Sequence, residues 1–407
     1  MKWRSIFSAS PTKFGPGVPL LWRGNSLGTL HGFFRQFFSL KRSSLVQKTD
    51  DVFLFESARC AIYNCLLAQG IGHGDEVIVS SFTCEAVTYA VVRAGARVVY
   101  VDINDNLSMC ENDVFNAMGE NTKAVIVQNT FGKSGLSLAA LNKLRSQGLF
   151  LIADCALAVG SKVDEARLET LGDVSVWSLE VSKTVTIGWG GVVSVNNAEC
   201  AEALRQRYAQ LGHISAVSDI RRLFQLWFSV LMMKLKIPGA VLVWYFMYGT
   251  RLFRRSNHFG AQHPSKYEKM GKISVLLFAY MQPKLDEIFQ ITNRHYKILQ
   301  AEAESLGLMY PVAELDGEYL VSPRFSLCIA PCDVEDVIRQ GAQVGVEVGR
   351  WFSECPPRWG LEAANLYASA NAEKLAKQMI NFPCHWTLTQ DELLRIKGLM
   401  AYIKSIQ

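Results

Sequence analysis

The 407-residue sequence lacks several patterns that would direct a functional assignment at once. Its 42 basic and 37 acidic residues are interspersed rather than collected into runs, so composition gives no support for nucleic-acid binding. The opening MKWRSIFSASP has no apolar run of signal-peptide length before Pro11, and secretion is therefore not expected. Repeats and low-complexity tracts are also absent. We expect a cytoplasmic globular protein whose net charge of +5 still permits anionic substrates.

Metal-ligand and disulfide patterns are missing as well, although the chain has ten cysteines. They are scattered through apolar segments, as at Cys60, Cys65, Cys155 and Cys328, without the spacing of a zinc site or of a small disulfide framework. The cysteine pattern therefore predicts buried free thiols in a reducing compartment and no metal site.

The length predicts a large domain and a smaller one, because a single ordinary core needs fewer residues. Residues 1–52 form an N-terminal arm, rich in Phe, Leu and basic side chains, in which prolines interrupt any early helix. We assign residues 53–255 to a large α/β domain, residues 256–307 to a helical linker and residues 308–407 to a small α+β domain.

Strand and helix signals alternate through the large domain. The predicted strands are Glu76–Ser80, Arg97–Val101, Lys123–Gln128, Leu149–Ala153, Val174–Ser178 and Val192–Val195, and the predicted helices are Ala58–Gln69, Cys84–Arg93, Asn112–Met118 and Leu138–Gln147. Because the strands are continuous apolar runs, they are typical of a mainly parallel sheet covered by helices on both faces. Ligands of that architecture bind beyond the carboxyl ends of the strands.

The small domain has a mixed pattern. We predict strands at Arg324–Ile329 and Val346–Gly349, and helices at Asp333–Gln343, Ala372–Ile380 and Gln390–Ile403.

The segment Leu223–Phe253 is unusually apolar, and basic residues flank it on both sides. A membrane-spanning helix needs about 20 largely uncharged residues, whereas Lys234, Lys236 and Pro238 divide this segment into halves too short to cross. The segment could lie as a hairpin in a membrane interface with its basic residues toward the headgroups. The alternative, which we favour, is an apolar helical pair that covers the core or a dimer interface.

An acid and an amine follow two of the predicted strands. Asp154 comes directly after one strand, and Lys183 lies five residues beyond Ser178, where another strand ends. A pyridoxal phosphate enzyme needs such a pair, because a lysine holds the cofactor aldehyde as a Schiff base and a carboxylate keeps the pyridine nitrogen protonated. Ser178 could bind the cofactor phosphate, and the glycine-rich turn 188–191 would let backbone pass close to a ligand. Alternatively, Asp154 caps a helix and Lys183 is a solvated surface residue.

Longer stretches of the sequence resemble one family. These are LFESARCAIYNCLLAQGIGHGDEVIVSSFTCEAVTYAVVRAGARVVYVDI, IADCALAVG, GDVSVWSLEVSK, GWGGVVSV, KLDEIFQITNRHY and AEKLAKQMINFPCHWTLTQDEL. They are similar to the DegT/DnrJ/StrS-type sugar aminotransferases from about Phe53 to the C-terminus, apart from an insertion at about residues 215–262. The resemblance implies a divergent member of this fold-type I pyridoxal phosphate family. Its members are homodimers with active sites at the subunit interface.

Most members of the family transfer an amino group, usually from glutamate, to a keto-sugar attached to a nucleotide. By position, the resemblance implies that Lys183 is the Schiff-base lysine and the proton shuttle. It further implies that Asp154 is the partner of the ring nitrogen and that Ser178 binds the phosphate.

Other cofactor-binding positions carry residues that differ from the family's usual ones. Ala58 and Arg59 stand where the family has Gly-Thr at a helix N-terminus, and backbone N–H groups there can still hold phosphate. Cys84 replaces the aromatic residue that stacks on the cofactor ring. Leu157 replaces a Gln near the cofactor's phenolic oxygen, and Val159 replaces a His. Cofactor electronics are therefore expected to differ from those of typical members.

The segment KYEKMGKIS also departs from the pattern, because Tyr267-Glu268-Lys269 stands in place of the Asn-x-Arg that reaches the neighbouring subunit's phosphate. Either the chain is a divergent branch with other residues in these roles, or it has lost transfer efficiency and kept the cofactor. Asp154, Ser178 and Lys183 together favour the divergent branch, since a buried acid and amine facing one cavity have no other evident purpose.

The expected function is pyridoxal phosphate-dependent amino transfer to a nucleotide-linked keto-sugar in surface glycan or amino-sugar biosynthesis. A first alternative is another pyridoxal phosphate reaction such as deoxysugar dehydration, but the family's dehydratases carry His at the position of Lys183. A second alternative is a non-catalytic scaffold that docks at membrane glycan machinery through residues 223–253. A protein that fails to bind pyridoxal phosphate would favour the scaffold.

Overall fold

A computed structural model of the chain describes residues 52–235, 268–311, 319–357 and 364–407. At 226–235 and 364 it describes the backbone alone. The predicted N-terminal arm, apart from Val52, lies outside these residues, as does the part of Leu223–Phe253 that follows Leu235. The predicted domain boundaries stay predictions.

The large domain is built around one eight-stranded sheet in the order β1-β9-β8-β5-β4-β2-β3-β11. Its strands are β1 (Val52–Phe55), β2 (Glu76–Ser80), β3 (Arg97–Val101), β4 (Thr122–Gln128), β5 (Phe150–Asp154), β8 (Val174–Ser178), β9 (Gly191–Val195) and β11 (Ala364–Leu366). The six strands from β8 to β11 in this order run parallel, and β9 and β1 pair antiparallel at the other edge. The predicted mainly parallel sheet is confirmed, and β6 (Lys162–Val163) and β7 (Ala166–Arg167) form a separate hairpin.

Helices cover both faces of this sheet. They are α1 (Ala58–Ala68), α2 (Glu85–Ala94), α3 (Glu111–Asn116), α4 (Leu138–Ser146) and α5 (Ala198–Ala209). One apolar core places side chains of α1, α2 and α5 against the sheet, and another places α4 against β4 and β5. Because both faces are covered, the strands are buried along nearly their whole length, which explains why the sequence shows continuous apolar runs.

Three further helices follow α5. The described part of helix α6 (Ala216–Leu235) ends at its C-terminus, and α7 (Lys272–Met281) and α8 (Leu285–Leu306) lie within residues 256–307. A 3-10 turn at Gln282–Lys284 separates α7 from α8. None of the helices in the described ranges has the length and apolarity that a membrane crossing requires.

The small domain has its own core, formed by α8 together with β10 (Arg324–Cys328), α9 (Val334–Val344), β12 (Met379–Pro383) and α11 (Gln390–Ile406). Helix α10 (Ala370–Gln378) packs instead in a cluster that also contains Phe82, Phe131 and Leu157 of the large domain. Two sequence predictions are wrong here. The helix predicted to end at Ile380 stops at Gln378, because the following residues pair antiparallel with β10. The strand predicted at Val346–Gly349 does not form a ladder, since only Gly349 makes an isolated bridge, to Asn381.

Candidate active site

The carboxyl ends of β5 and β8 lie side by side and carry two of the predicted site residues. The strands are parallel neighbours, with Asp154 opposite Val176. Asp154 ends β5 and Ser178 ends β8, and both residues are buried. The structure therefore brings these two side chains to one edge of the sheet, where ligands of parallel sheets bind.

Lys183 lies in the loop that connects β8 to β9, directly beyond Ser178. Its backbone N–H donates to the carbonyl of Glu180 at 3.0 Å, which closes a tight turn. The Glu180 carboxylate accepts from the backbone N–H of Ser182 at 3.0 Å and from the Ser182 hydroxyl. Farther along the loop, Leu179 donates its N–H to the Gly190 carbonyl at 2.9 Å. These bonds fold the loop back on itself and hold the lysine above the strand ends.

Asp154 is only 6% exposed, and burial raises the pKa of its carboxyl. Two contacts oppose that rise: the N–H of Ala156, which donates to Oδ1 at 3.0 Å, and the positive charge of Lys183. The Lys183 amine thus lies within electrostatic range of this carboxylate. Burial still outweighs both contacts, so the described residues do not fully compensate the negative charge of Asp154.

Cys84 immediately precedes α2 and is accessible to solvent. The surrounding protein nevertheless raises the pKa of its thiol through desolvation. Lys183, the N–H of Ala86 and Arg59 lower that pKa, whereas Asp154 raises it. Arg59, Asp154 and Lys183 therefore all lie close enough to Cys84 to affect the pKa of its thiol.

The N-terminus of α1 lies against the start of β9, which forms a cradle of backbone. Gly191 pairs with Ser178 in the sheet, and a Cβ built on Gly191 would lie 2.4 Å from the carbonyl carbon of Ser57 and 2.5 Å from the nitrogen of Ala58. Only glycine permits this approach. The N–H groups of a helix's first turn have no acceptor within the helix, and they attract anions. Ser178, Ala58 and the α1 N-terminus therefore form a local anion-binding arrangement.

Arg59 stands at the second position of α1. Its guanidinium carbon lies 5.2 Å from the centroid of the Tyr89 ring, and its charge also lowers the pKa of Glu85 against the larger effect of burial. The charge of Arg59 thus lies at the rim of the cleft between α1 and α2.

Trp351 is a residue of this site that the sequence did not reveal. The Lys183 Nζ lies 4.6 Å from the centroid of the Trp351 ring, within the range of a cation–π contact. The guanidinium of the buried Arg324 lies 5.4 Å from the same centroid. The small domain therefore closes over the lysine with an aromatic side chain.

Two residues at unusual family positions lie in apolar surroundings. Leu157 is buried in a cluster with Phe82 and Phe131, against which Trp351 also packs. Val159 is buried in the core beneath the loop that carries Lys183. Neither position has the polar environment that a Gln or a His would require.

Lys269, at the position of the family's interfacial Arg, packs within its own chain. Its Nζ lies 4.8 Å from the centroid of the Tyr208 ring. Tyr267, in the same tripeptide, lies outside the described residues.

The chemistry of these residues fits pyridoxal phosphate. A protonated ring nitrogen would compensate the buried charge of Asp154, and the Lys183 amine is placed to bond to an aldehyde. The glycine-lined N-terminus of α1 suits a phosphate. Cys84 is exposed at the position where typical members have an aromatic that stacks on the ring, so a ring could pack against it.

The fold of the chain is that of the fold-type I pyridoxal phosphate enzymes. An aminotransferase TlmJ from Streptoalloteichus hindustanus has the same fold, with a TM-score of 0.69 and 21% identity over 93% of this chain and 96% of the other. The PLP form of a Streptococcus pneumoniae protein has a TM-score of 0.69 at 14% identity, with the same shares covered. At these identities the likeness concerns the fold alone.

The sequence defines the family more narrowly. Residues 44–237, slightly less than half of the chain, match the DegT/DnrJ/EryC1/StrS aminotransferase family. The GDP-perosamine synthase of Vibrio cholerae is 33% identical over 177 residues, which is 43% of this chain and 46% of that protein. The dTDP-4-dehydro-2,3,6-trideoxy-D-glucose 4-aminotransferase of Saccharopolyspora spinosa is 31% identical over 39% of this chain and 41% of its own length. The matched region thus spans less than half of either relative.

Proposed function

We propose that the protein is a pyridoxal phosphate-dependent aminotransferase that transfers an amino group from glutamate to a nucleotide-linked keto-sugar in surface glycan or amino-sugar biosynthesis. The observation that carries this proposal is the placement of Lys183 within electrostatic range of the buried Asp154, above the adjacent carboxyl ends of β5 and β8. The match to the family and relatives named as makers of amino sugars support the substrate class.

When bound, pyridoxal phosphate supplies an aldehyde that bonds to amines and a ring that absorbs the electrons of a carbanion. Asp154 would hold positive charge at the ring nitrogen, because its own carboxylate lacks full compensation. Ser178 and the N–H groups at Ala58 and Arg59 would hold the phosphate. Cys84 and Leu157, which stand where the family has an aromatic and a Gln, would lie beside the ring.

Lys183 has two roles in this proposal. With the cofactor bound, the Lys183 amine would hold it covalently. When free, the same amine would accept the proton from the amino donor's α-carbon as a general base and return it as a general acid. The Trp351 ring lies beside this amine, with its centroid 4.6 Å from Nζ.

We propose further that the protein acts as a homodimer in the cytoplasm, with its active sites at the subunit interface and with peripheral contact to a membrane. The cleft over Cys84 is open in the single chain, which leaves room for a second subunit to contribute to the pocket.

An absorbance experiment tests the proposal. Purified protein should be yellow, should lose the visible band when glutamate is added, and should regain it with one keto-sugar nucleotide. Lys183→Ala should remove the band and reduce turnover by at least about 10³-fold, as loss of a covalent and acid–base group does. Lys162→Ala is the matched control, because Lys162 lies on the β6–β7 hairpin and pairs with Glu165.

Other outcomes would decide against the proposal. An unchanged visible spectrum in Lys183→Ala would show that Lys183 does not form the covalent bond to the cofactor. A bound cofactor that no amino donor bleaches would favour a different pyridoxal phosphate reaction. A purified protein that takes up no pyridoxal phosphate would favour the scaffold.

A further inference from the structure

Helix α6 is oriented with its charged residues toward the protein and its apolar residues toward solvent. Asp219, Arg222 and Gln225 are 1%, 9% and 5% exposed, and they face the body of the chain. Val217 and Ile220, on the opposite side, are 78% and 56% exposed. A surface helix of a globular protein normally has the reverse arrangement, with its apolar stripe toward the core.

The inward polar residues fix this orientation. The Asp219 carboxylate lies over the N-terminus of α7, where it accepts from the N–H of Ile273 at 2.8 Å and from the hydroxyl of Ser274 at 2.6 Å. A Cβ on Gly271 would lie 2.2 Å from the Asp219 Cγ, so glycine is required beneath this carboxylate. This contact satisfies both a buried carboxylate and the N–H groups of a helix N-terminus. Rotating α6 about its axis would break these hydrogen bonds and leave the N-terminus of α7 without its acceptor.

A second buried contact acts in the same sense. Arg222 forms an ion pair with Glu56 at 2.8 Å, and the two side chains are 10% and 11% exposed. Removing either partner would leave the other charge buried, which is costly. The outward direction of Val217 and Ile220 is therefore determined by polar contacts on the other side of the helix.

The sequence that follows this face is apolar, and its charged residues are all basic. Phe224, one turn beyond Ile220, is 45% exposed, and from Gln225 to Leu235 the sequence of α6 reads QLWFSVLMMKL. From Ile220 to Tyr267 the chain has eight basic residues and no acidic residue. The eight are Arg221, Arg222, Lys234, Lys236, Arg251, Arg254, Arg255 and Lys266.

We propose that the outward face of α6, defined by Val217, Ile220 and Phe224, docks on an anionic lipid surface. The apolar side chains of this face would enter the boundary between headgroups and acyl chains. Arg222 is paired inward with Glu56, and the other seven basic residues give the sequence next to the face a positive charge that complements anionic headgroups. Lipid fits better than a second copy of this chain, because pairing two copies through this face would bring together segments of the same charge. The inference is independent of the proposed chemistry, since no residue of α6 belongs to the active site.

Flotation of the purified full-length protein with vesicles tests this inference. Vesicles of phosphatidylcholine containing about one-third phosphatidylglycerol should bind the protein, and added salt should weaken binding because the charges are screened. Phosphatidylcholine alone should bind it less. The double variant Val217→Ser/Ile220→Ser should reduce the partition coefficient by about tenfold or more, since two apolar side chains no longer leave water.

The matched control is Met309→Ser/Leu394→Ser, which removes two apolar side chains that are 72% and 66% exposed elsewhere on the surface. This control should bind vesicles as the wild type does. Circular dichroism and thermal unfolding should be the same for all three proteins, because every substituted side chain is exposed. The single variant Ile220→Ser should give an intermediate loss.

Three results would overturn the inference. They are wild-type protein that does not float with anionic vesicles, equal losses in the two double variants, and unchanged binding in Val217→Ser/Ile220→Ser. Sedimentation that shows a wild-type dimer and a monomeric Val217→Ser/Ile220→Ser variant would assign the face to a second copy instead.

Discussion

The ammonium nitrogen of Lys183 lies 4.6 Å from the centroid of the Trp351 ring, which joins the loop after β8 to the small domain. The two residues are 168 positions apart in the sequence. Arg324, buried in the small domain, lies against the same ring, so the position of Trp351 is fixed from its own side of the cleft. The proposed catalytic lysine thus contacts a residue that packs on the cluster of Phe82, Phe131 and Leu157, between the large sheet and the small domain.

We expect Trp351→Ala to weaken binding of pyridoxal phosphate by about two- to tenfold, because an aromatic contact contributes roughly 0.5–1.5 kcal/mol. Trp351→Phe should keep most of the affinity, since it retains a ring. Titration of each apoprotein with the cofactor, followed by absorbance, measures the effect. Equal affinities in the wild type and Trp351→Ala would show that the ring does not contribute.

Asp154→Asn should make the cofactor-free protein more stable at neutral pH, by about 1 kcal/mol or more. Burial raises the native pKa of Asp154, so the native state binds a proton more readily than the unfolded state does. Stability is therefore lost as pH rises from the ordinary carboxyl range through the native pKa. The advantage of the Asn variant should shrink as pH falls toward about 4, where both states are protonated.

The same substitution should weaken binding of the cofactor, because a charge-assisted hydrogen bond contributes about 1.5–3 kcal/mol. We expect an affinity loss of roughly 10- to 100-fold. Urea unfolding of the apoprotein across pH and cofactor titration at pH 7 separate the two effects. A variant less stable than the wild type at neutral pH would contradict the inferred burial cost of Asp154.

Gly191→Ala should destabilise the protein by about 1–3 kcal/mol, because the added methyl would overlap the backbone of Ser57 and Ala58. Since α1 must move away, cofactor affinity should fall too. Gly398→Ala is the matched control: no atom lies within 4 Å of its added Cβ, and it lies inside α11. That variant should be more stable than the wild type by up to about 1 kcal/mol. Thermal unfolding of both variants checks the contrast.

Pyridoxal phosphate should protect Cys84 from iodoacetamide. The thiol is accessible in the cleft, and because its pKa is raised, alkylation should accelerate as pH increases. A bound ring would cover it, so we expect the rate to fall at least severalfold. Cys332, which is exposed in the small domain, serves as the internal reference and should react at the same rate with and without the cofactor. Mass spectrometry of the labelled peptides distinguishes the two.

The sequence predicted the parallel sheet well because each strand is a local apolar run that helices bury on both sides. The first and last residues of β2, β3 and β8 agree with the prediction. The acid and amine were found for the same reason, since their positions follow directly from strand ends. Their family roles came from resemblance rather than from the local pattern.

Elements created by distant pairing could not be predicted in this way. The residues of β11, Ala-Asn-Leu, have little strand preference of their own, and they are extended because they pair with β3. The start of β12 continues the helical pattern of α10 and becomes a strand only beside β10. Trp351 was missed because its role depends on closure of the small domain over a loop far away in the sequence.

The strand β11 has a mechanical consequence. The chain leaves the small domain, adds β11 to the edge of the large sheet, and returns to the small domain through α10. Asp102, beyond the end of β3, accepts hydrogen bonds from the N–H groups of Asn371 at 2.8 Å and Ala372 at 2.9 Å at the start of α10. The small domain is therefore tethered at a point far from its linker helix. Any rotation of the small domain relative to the sheet is therefore restrained at two places, at α8 and at this edge of the sheet.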